Sequence, residues 1–473
     1  MERFNKEFVI STYCSPQPPK NYNGVDYPDK VTKEQYLLLK KCGVNLAMGH
    51  ADVMNTDTEK YAFRALDICS EIGIGYLVKD FISYEYTGLG DRFKDYRKLS
   101  EQEKKDLDER FIASLKRYKD KPSFAGIIAM DEPGSAMFDG ISHEKEIFEK
   151  ICPDKIFFVN LFPYYIVPKY YQFGLEKVDE PTDKEYEPYV QDNIVRYEHY
   201  LGEFINKVDT DILCYDAYPF FDFANLHNIV HFVEWELQQA VSKACRDLNK
   251  TYWTCLQNGG LWFKNVRVPS FGEVQLNVSL ALLYGAKGLV LYPGCFPNDC
   301  LENINEHSGI VDKYGEITEQ YHYFGYAFMQ LKAIQKHLIN AELKGIIVSS
   351  GNYFGLLPSS DVVEKTDKEQ GGGTTIFNGK LPHYANIEIQ EFGEIQRVEA
   401  TSQCLLGCFE NSGKNVFLLV NNSPFAAADV KIYLDQEYDF EYIKGTVTYN
   451  SHGKTLEIYA LPAGENALIR IIG

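Results

Sequence analysis

The chain has 473 residues, 45% of them apolar and 24% charged, a balance that excludes a disordered or collagen-like polymer and leaves room for two or three domains. Its 48 Lys and Arg against 67 Asp and Glu leave a net charge of −19, a field that repels phosphate backbones and anionic lipid surfaces, so neither nucleic acid nor a membrane is expected as a partner. No apolar run reaches the roughly 18 residues of a membrane span, and the opening MERFNKEFVISTYC lacks the apolar core of a signal peptide, so a cytoplasmic location is expected.

Along the chain, short β-branched and aromatic runs alternate with helix-like stretches. Eight such runs are visible: Phe8–Tyr13, Val44–Met48, Ile74–Val78, Phe124–Ala129, Ile156–Asn160, Ile212–Tyr215, Tyr252–Leu256 and Gly288–Tyr292. The seven intervals between their starts average about 40 residues, a spacing that a doubly wound open sheet could have. Eight units are read more simply as a closed (β/α)8 TIM barrel. Helices are expected over Lys33–Lys41, Ala62–Ser70 and Glu273–Tyr284, each ending in a glycine that can cap it. The connections Phe81–Leu99 and Leu161–Asp192 are long and rich in Tyr, Pro and Gly, as walls of a barrel mouth would be.

After about residue 337 the pattern changes to short β-like runs with turn signals, among them Gly345–Val348, Val416–Val420, Gly445–Tyr449 and Ala467–Ile471. Residues 1–337 are therefore read as the barrel and 338–473 as a C-terminal all-β sandwich domain. The segment Glu364–Gly379, with its three consecutive glycines, lacks the strand-to-helix context of a phosphate loop and is read as a hairpin or loop. The 11 cysteines lie mostly inside apolar stretches and suit buried, reduced thiols. Cys295 and Cys300 lack a partner pair at zinc-ligand spacing, so no metal and no cofactor are expected.

In a barrel of this kind, functional residues stand at the carboxyl ends of the strands. Those ends carry His50 and Asp52 after strand two, Lys79-Asp80 after three, Asp131-Glu132-Pro133 after four, Asn160 at five, Asp216-Ala217-Tyr218-Pro219 after six and Gln257-Asn258 after seven. Any one acid here could be a rim ion pair or a helix cap. Several strand ends converging with carboxylates, an imidazole and amides point to a site, because desolvated acids without a task are costly. Glu132 is the sharpest candidate: it follows an apolar strand, a proline fixes its turn, and the neighbouring Asp131 would raise its pKa by like-charge repulsion, as a general acid for glycosidic cleavage requires.

The fourth strand ending in an acid–base glutamate, the sixth ending Tyr215-Asp216-x-Tyr218-Pro219, and Leu283–Gly288 before the eighth resemble the (β/α)8-barrel glycoside hydrolase superfamily over about residues 8–335. The nearest likeness is to the β-galactosidase-like members of family 42 and to uncharacterised bacterial glycosidase-like proteins, which often carry a terminal β-sandwich. The resemblance implies a carbohydrate substrate, Glu132 as acid/base, Tyr215 and Tyr218 along the sugar site and Tyr292 near its floor; His50, Asp80, Asn160 and Gln257 would complete the substrate-binding set. One departure matters. Retaining enzymes of that superfamily place a nucleophilic glutamate at the end of strand seven, where this chain has Gln257, and an amide cannot form the ester. Asp216 is the best substitute, with Asp80 and Glu273 behind it, although Glu273 could simply cap a helix. The Asp131-Glu132 pair is also similar to that of hexosaminidases in which a substrate N-acetyl group attacks and the aspartate orients it. Two other readings stand beside a hydrolase: a sugar-binding barrel without catalysis, and a metal-dependent sugar isomerase or lyase using His50, Asp80, Glu132 and Asp216.

Overall fold

A computed structural model describes residues 6–53, 57–88, 93–163, 200–216, 218–220, 241–261, 266–297, 304–350 and 387–472, with the side chains of residues 50–52 left out. The eight expected strands form one closed parallel barrel: β1 Val9–Thr12, β2 Leu46–Val53, β3 Gly75–Asp80, β4 Phe124–Asp131, β5 Ile156–Leu161, β6 Ile212–Asp216, β7 Thr251–Gln257 and β8 Gly288–Tyr292. Each strand pairs with its sequence neighbours, and β1 closes the ring against β2 and β8. The open sheet is thereby ruled out.

Alternation along each strand splits its side chains between lumen and helix layer. The lumen is filled by Val9, Leu46, Met48, Leu77, Ile128, Phe158, Cys214, Trp253 and Val290, among others. Trp253 is the largest of these and lies against Phe158, with ring centroids 5.9 Å apart. A Cβ on Gly288 would come within 2.3 Å of the indole, so a glycine in β8 is what lets the tryptophan fit. The opposite faces pack under the helices α1 Lys33–Cys42, α2 Glu59–Ile72, α3 Ser83–Thr87, α4 Glu101–Tyr118, α5 Phe138–Ile151, α6 (200–207), α7 (241–247), α8 Phe271–Leu283 and α9 Glu319–Leu338. Gly43 and Gly73 cap α1 and α2 in the left-handed region, at φ 116° and 75°, which a residue with a Cβ enters only with strain. Among the described residues no helix is long and apolar enough to cross a membrane.

Seven antiparallel strands follow: β9 Glu342–Val348, β10 Ile395–Ala400, β11 Cys404–Asn411, β12 Lys414–Asn421, β13 Ala428–Lys444, β14 Val447–Leu461 and β15 Asn466–Ile471. Strand β13 pairs with β10 through its first half and with β15 through its second. The sheet thus folds into a sandwich over Leu406, Phe417, Leu419, Ile432, Phe440 and Ile458. It docks on α8 and α9: Asn466 Nδ2 donates to Ser279 Oγ at 2.9 Å, Tyr326 donates to Glu465 at 3.1 Å, and a Cβ on Gly272 would strike the Pro424 carbonyl at 2.1 Å. The segment Glu364–Gly379 lies outside the described residues. The ten described cysteines are all buried.

A small acidic network lies between β3, α3, α4 and α5. Asp80 is fully buried and accepts from Ser114 Oγ (2.6 Å), the Tyr118 hydroxyl (2.8 Å) and the Ile82 amide (3.2 Å). Glu144 on α5, also fully buried, shares a hydrogen with Ser83 through Oε1, while its Oε2 has no partner. Burial, opposed by the Ser83 hydroxyl and reinforced by the Asp80 charge, pushes the Glu144 carboxyl up to about 8. The folded chain therefore keeps this proton between pH 4.5 and 8, where an unfolded glutamate loses it, so stability falls as pH rises through that window. Glu144→Gln removes the penalty. Its melting temperature is expected to match the wild type near pH 4.5 and to exceed it by a widening margin up to pH 8; a gap that does not change with pH would refute a neutral Glu144.

Candidate active site

The carboxyl ends of β1, β3, β4 and β8 surround a cavity of about 330 Å3, walled by Tyr13, Lys79, Ser83, Tyr84, Asp131, Tyr292 and Pro297, among others. The volume sits at the lower end of the roughly 300–1,000 Å3 of small-molecule sites.

Asp131 reaches this cavity through an irregularity in β4. Its register against β5 slips between Ile128 and Met130, so that Met130 faces Val159 and Asp131 faces Asn160. Ile128 lies in the lumen, and Ala129 and Met130 both lie in the outer core. Two consecutive outward residues are what a β-bulge produces. Without the bulge, strict alternation would turn Asp131 outward. As it is, the Asp131 carboxylate opens onto the cavity, accepts from Asn160 Nδ2 at 3.0 Å and from the Tyr13 hydroxyl, and lies beside the Lys79 ammonium. Burial among protein atoms raises its pKa, and the Asn160 and Tyr13 hydrogen bonds and the Lys79 charge oppose the rise. Tyr13 in turn is held protonated, by burial first and then by the Asp131 charge.

Glu132, half-buried, donates its backbone N–H to the Asn160 carbonyl at 2.8 Å and sits at φ 47°. A left-handed residue with a side chain, directly before a proline, is strained by about 1–3 kcal/mol. The following turn is tied down by Tyr200, whose hydroxyl donates to the Pro133 carbonyl at 2.7 Å.

Asn160 links the two acids to the next strands, accepting from Cys255 Sγ at 3.6 Å. The Cys255 thiol is pushed up by burial and then by the neighbouring Cys214, Asp216 and Asp131. Asp216 is buried in the lumen phase of β6, two residues beyond Cys214. Tyr218 stacks on Tyr292 with centroids 5.3 Å apart, and Tyr292 meets Tyr13 edge-on at 5.9 Å. Burial raises the Tyr218 pKa well above 10, and the charges of Asp216 and then of Glu132 add to it. Asp131, Glu132, Asn160, Asp216, Tyr218 and Tyr292 are therefore brought together. The backbone of His50 lies in β2; its side chain is outside the described residues.

Three of the residues read as sugar-binding have their side chains engaged by other protein groups. With Leu77 in the lumen, alternation sends Lys79 inward; Asp80 also borders the cavity, and its carboxylate is taken up by Ser114 and Tyr118 of α4. Tyr215, next to the inward Cys214, points into the helix layer and stacks on Tyr252 at 6.1 Å with the hydroxyls 3.0 Å apart. Gln257 does face inward, but its carboxamide is spent on backbone. Oε1 accepts from the Phe220 amide at 2.8 Å, and Nε2 donates toward the carbonyls of Arg267 (2.6 Å), Phe220 (3.1 Å) and Gly259 (3.3 Å). Glu273 is a helix cap: with Ser270 it forms the capping box of α8, and it ion-pairs with the Arg267 guanidinium. Although burial acts to raise it, the Arg267 fork and Ser270 hold its carboxyl below the ordinary value. Lys79, read at the strand end but not taken into the sugar-binding set, and Tyr13 also line the cavity. Among the described residues no group of three His, Cys, Asp or Glu side chains is disposed to hold a metal.

No protein-family model matches the sequence, and no curated protein matches it. Among solved structures it is similar to a β-galactosidase from Bacillus circulans sp. alkalophilus, at 8% identity over 99% of each chain with a TM-score of 0.53. It is also similar to a structure titled glycoside hydrolase, at 9% identity over 98% of this chain and 92% of that one, with a TM-score of 0.51. The chain has the fold of barrel glycoside hydrolases. At such identities the likeness speaks for the fold alone.

The Gln257 contacts explain why an amide stands there, since a carboxylate could not donate to three carbonyls. Gln257→Glu is therefore expected to lower stability by about 2 kcal/mol or more and to give no gain in turnover. Thermal unfolding and a glycosidase assay check this; a stable variant with raised turnover would return strand seven to the chemistry.

Proposed function

We propose that the chain is a glycoside hydrolase acting on an oligosaccharide, with Glu132 as general acid/base and Asp216 as the second carboxylate. The observation that carries this reading is the strand-end cavity: Asp131, fixed by Asn160 at 3.0 Å, opens onto it, Tyr13 and Tyr292 line it, and Tyr218 stacks on Tyr292 at 5.3 Å. An acid thus stands beside an aromatic wall, and aromatic faces suit the apolar faces of sugar rings. Glu132 would protonate the leaving glycosidic oxygen. Asp216 would attack the anomeric carbon or draw a proton from the attacking water. Asp131, fixed by Asn160 and Tyr13, would orient the substrate, and in a substrate-assisted route it would position an N-acetyl group. The chemistry so proposed consists of proton transfer and carboxylate attack, and calls on no cofactor.

Glu132→Gln is expected to lower kcat by roughly 10²–10⁴-fold, the loss that follows removal of a general acid, on a glycoside with a poor leaving group. Wild-type rates in that variant would sink the assignment. Asp216→Asn should abolish turnover and spare sugar binding, and proton NMR of the first product formed by the wild type separates retention from inversion. Normal turnover in Asp216→Asn would move the second role to substrate assistance. One observation favours a different class, a sugar-binding barrel without cleavage: the strand-seven position of the usual nucleophile is occupied by an amide committed to backbone. Sugar binding with no hydrolysis by the wild type would select that reading.

A further inference from the structure

A second aromatic pair stands on the loops that leave β1 and β8. Beyond these strands the two chains run side by side: the Gly294 amide donates to the Tyr13 carbonyl, and the Cys295 amide to the Cys14 carbonyl at 2.7 Å. The β8 extension then carries Pro297 in the cavity wall, and Phe296 pairs with Val311 at 2.8 Å. Lys30 is a cation only 2% exposed, and its Nζ donates to the carbonyls of Phe296 (3.0 Å) and Asp312 (3.3 Å), clamping the loop after β1 to the loop after β8. Gln35 adds a bond to the Gly315 carbonyl at 2.8 Å, and the Asp312 carboxylate accepts the amides of Tyr314 (2.8 Å) and Glu316 (2.9 Å). On this braced rim Tyr27 and Tyr314 stack 6.2 Å apart at 24°, with Tyr314 54% exposed. The Lys313 ammonium lies 5.5 Å from the Tyr314 ring and 3.6 Å from Glu306.

A large aromatic ring open to water on a loop held by these hydrogen bonds, with a cation over it and a carboxylate beside that cation, suits a pyranose: C–H faces for the ring, hydroxyls for the charges. We infer that Tyr27 and Tyr314 form a rim platform that binds a distal sugar ring of an oligosaccharide whose reactive ring occupies the cavity. This rests on the proposed function and extends it, making the preferred substrate a chain of several sugars.

The test uses the full chain as wild type, Tyr314→Ala and Tyr314→Phe, with β-1,4-linked tetraoses of galactose, glucose and mannose and with 4-nitrophenyl β-D-galactoside. Calorimetric affinity for the best-bound tetraose is expected to fall roughly three- to tenfold in Tyr314→Ala, the effect of losing one aromatic stack, and to recover in Tyr314→Phe. Where hydrolysis is seen, KM for the tetraose should rise more than KM for the aryl galactoside. Equal losses on both probes, unchanged tetraose affinity, or no tetraose binding by the wild type would each overturn the platform. Tetraose binding that depends on Tyr314 without any hydrolysis would keep the platform and remove the hydrolase reading; hydrolysis indifferent to Tyr314 would do the reverse.

Discussion

The parity of side chains in a closed sheet governs everything at this barrel's mouth. Each strand sends alternate residues to a single lumen, so the side chain of a residue at a strand end starts out toward either the lumen or the helix layer. A bulge before the end of β4 resets that count and turns Asp131 onto the same face as Asn160. The rest of the site is built from that turn: Asn160 holds Asp131 with its side chain and Glu132 with its carbonyl, and reaches Cys255 and, beyond it, Asp216.

Polar residues in and around the cavity wall serve as fasteners that keep it in shape. Gln257 joins the loop after β6, through Phe220, to the loop after β7, through Arg267. Arg267 passes the connection to Glu273 and so to the start of α8. Because Phe220 lies two residues beyond Tyr218, the amide in strand seven helps set where an aromatic wall stands. On the other side Asp80 fastens β3 to α4 and Ser83 fastens α3 to α5. Buried hydrogen bonds of this kind contribute modestly when made and cost more when broken.

The architecture was legible because each barrel strand is an uninterrupted apolar run closed by turn residues, and because Gly43 and Gly73 mark helix ends that only a left-handed residue can make easily. Composition also foretold the sandwich, through its short alternating runs. The site was half legible. Strand ends locate polar residues along the axis but leave open which face they take, and that is why Tyr215 seemed to belong to the sugar site. Counting by twos from Leu77 and from Val9 would have found Lys79 and Tyr13 in the lumen. No such count predicts the bulge that admits Asp131, since a slip in register depends on the partner strand. The role of Gln257 was hidden for a related reason: its partners lie 37 and 10 residues away, in loops whose positions only the closed barrel defines.

The strain at Glu132 then acquires a reason. A left-handed residue before a proline persists only where its surroundings over-determine it, and here the β5 backbone holds its amide while Tyr200 holds the carbonyl of the next residue. Had the chain continued in extended form from Asp131, the two adjacent carboxylates would point to opposite faces of the sheet, one in the cavity and one among the helices. The bulge turns the first inward and the left-handed turn redirects the second, with the Glu132 charge within reach of the Tyr218 hydroxyl. Two local departures from regular β geometry, each unfavourable alone, thus set where the consecutive acids stand, and the hydrogen bonds to the Asn160 carbonyl and from Tyr200 hold the turn that carries them.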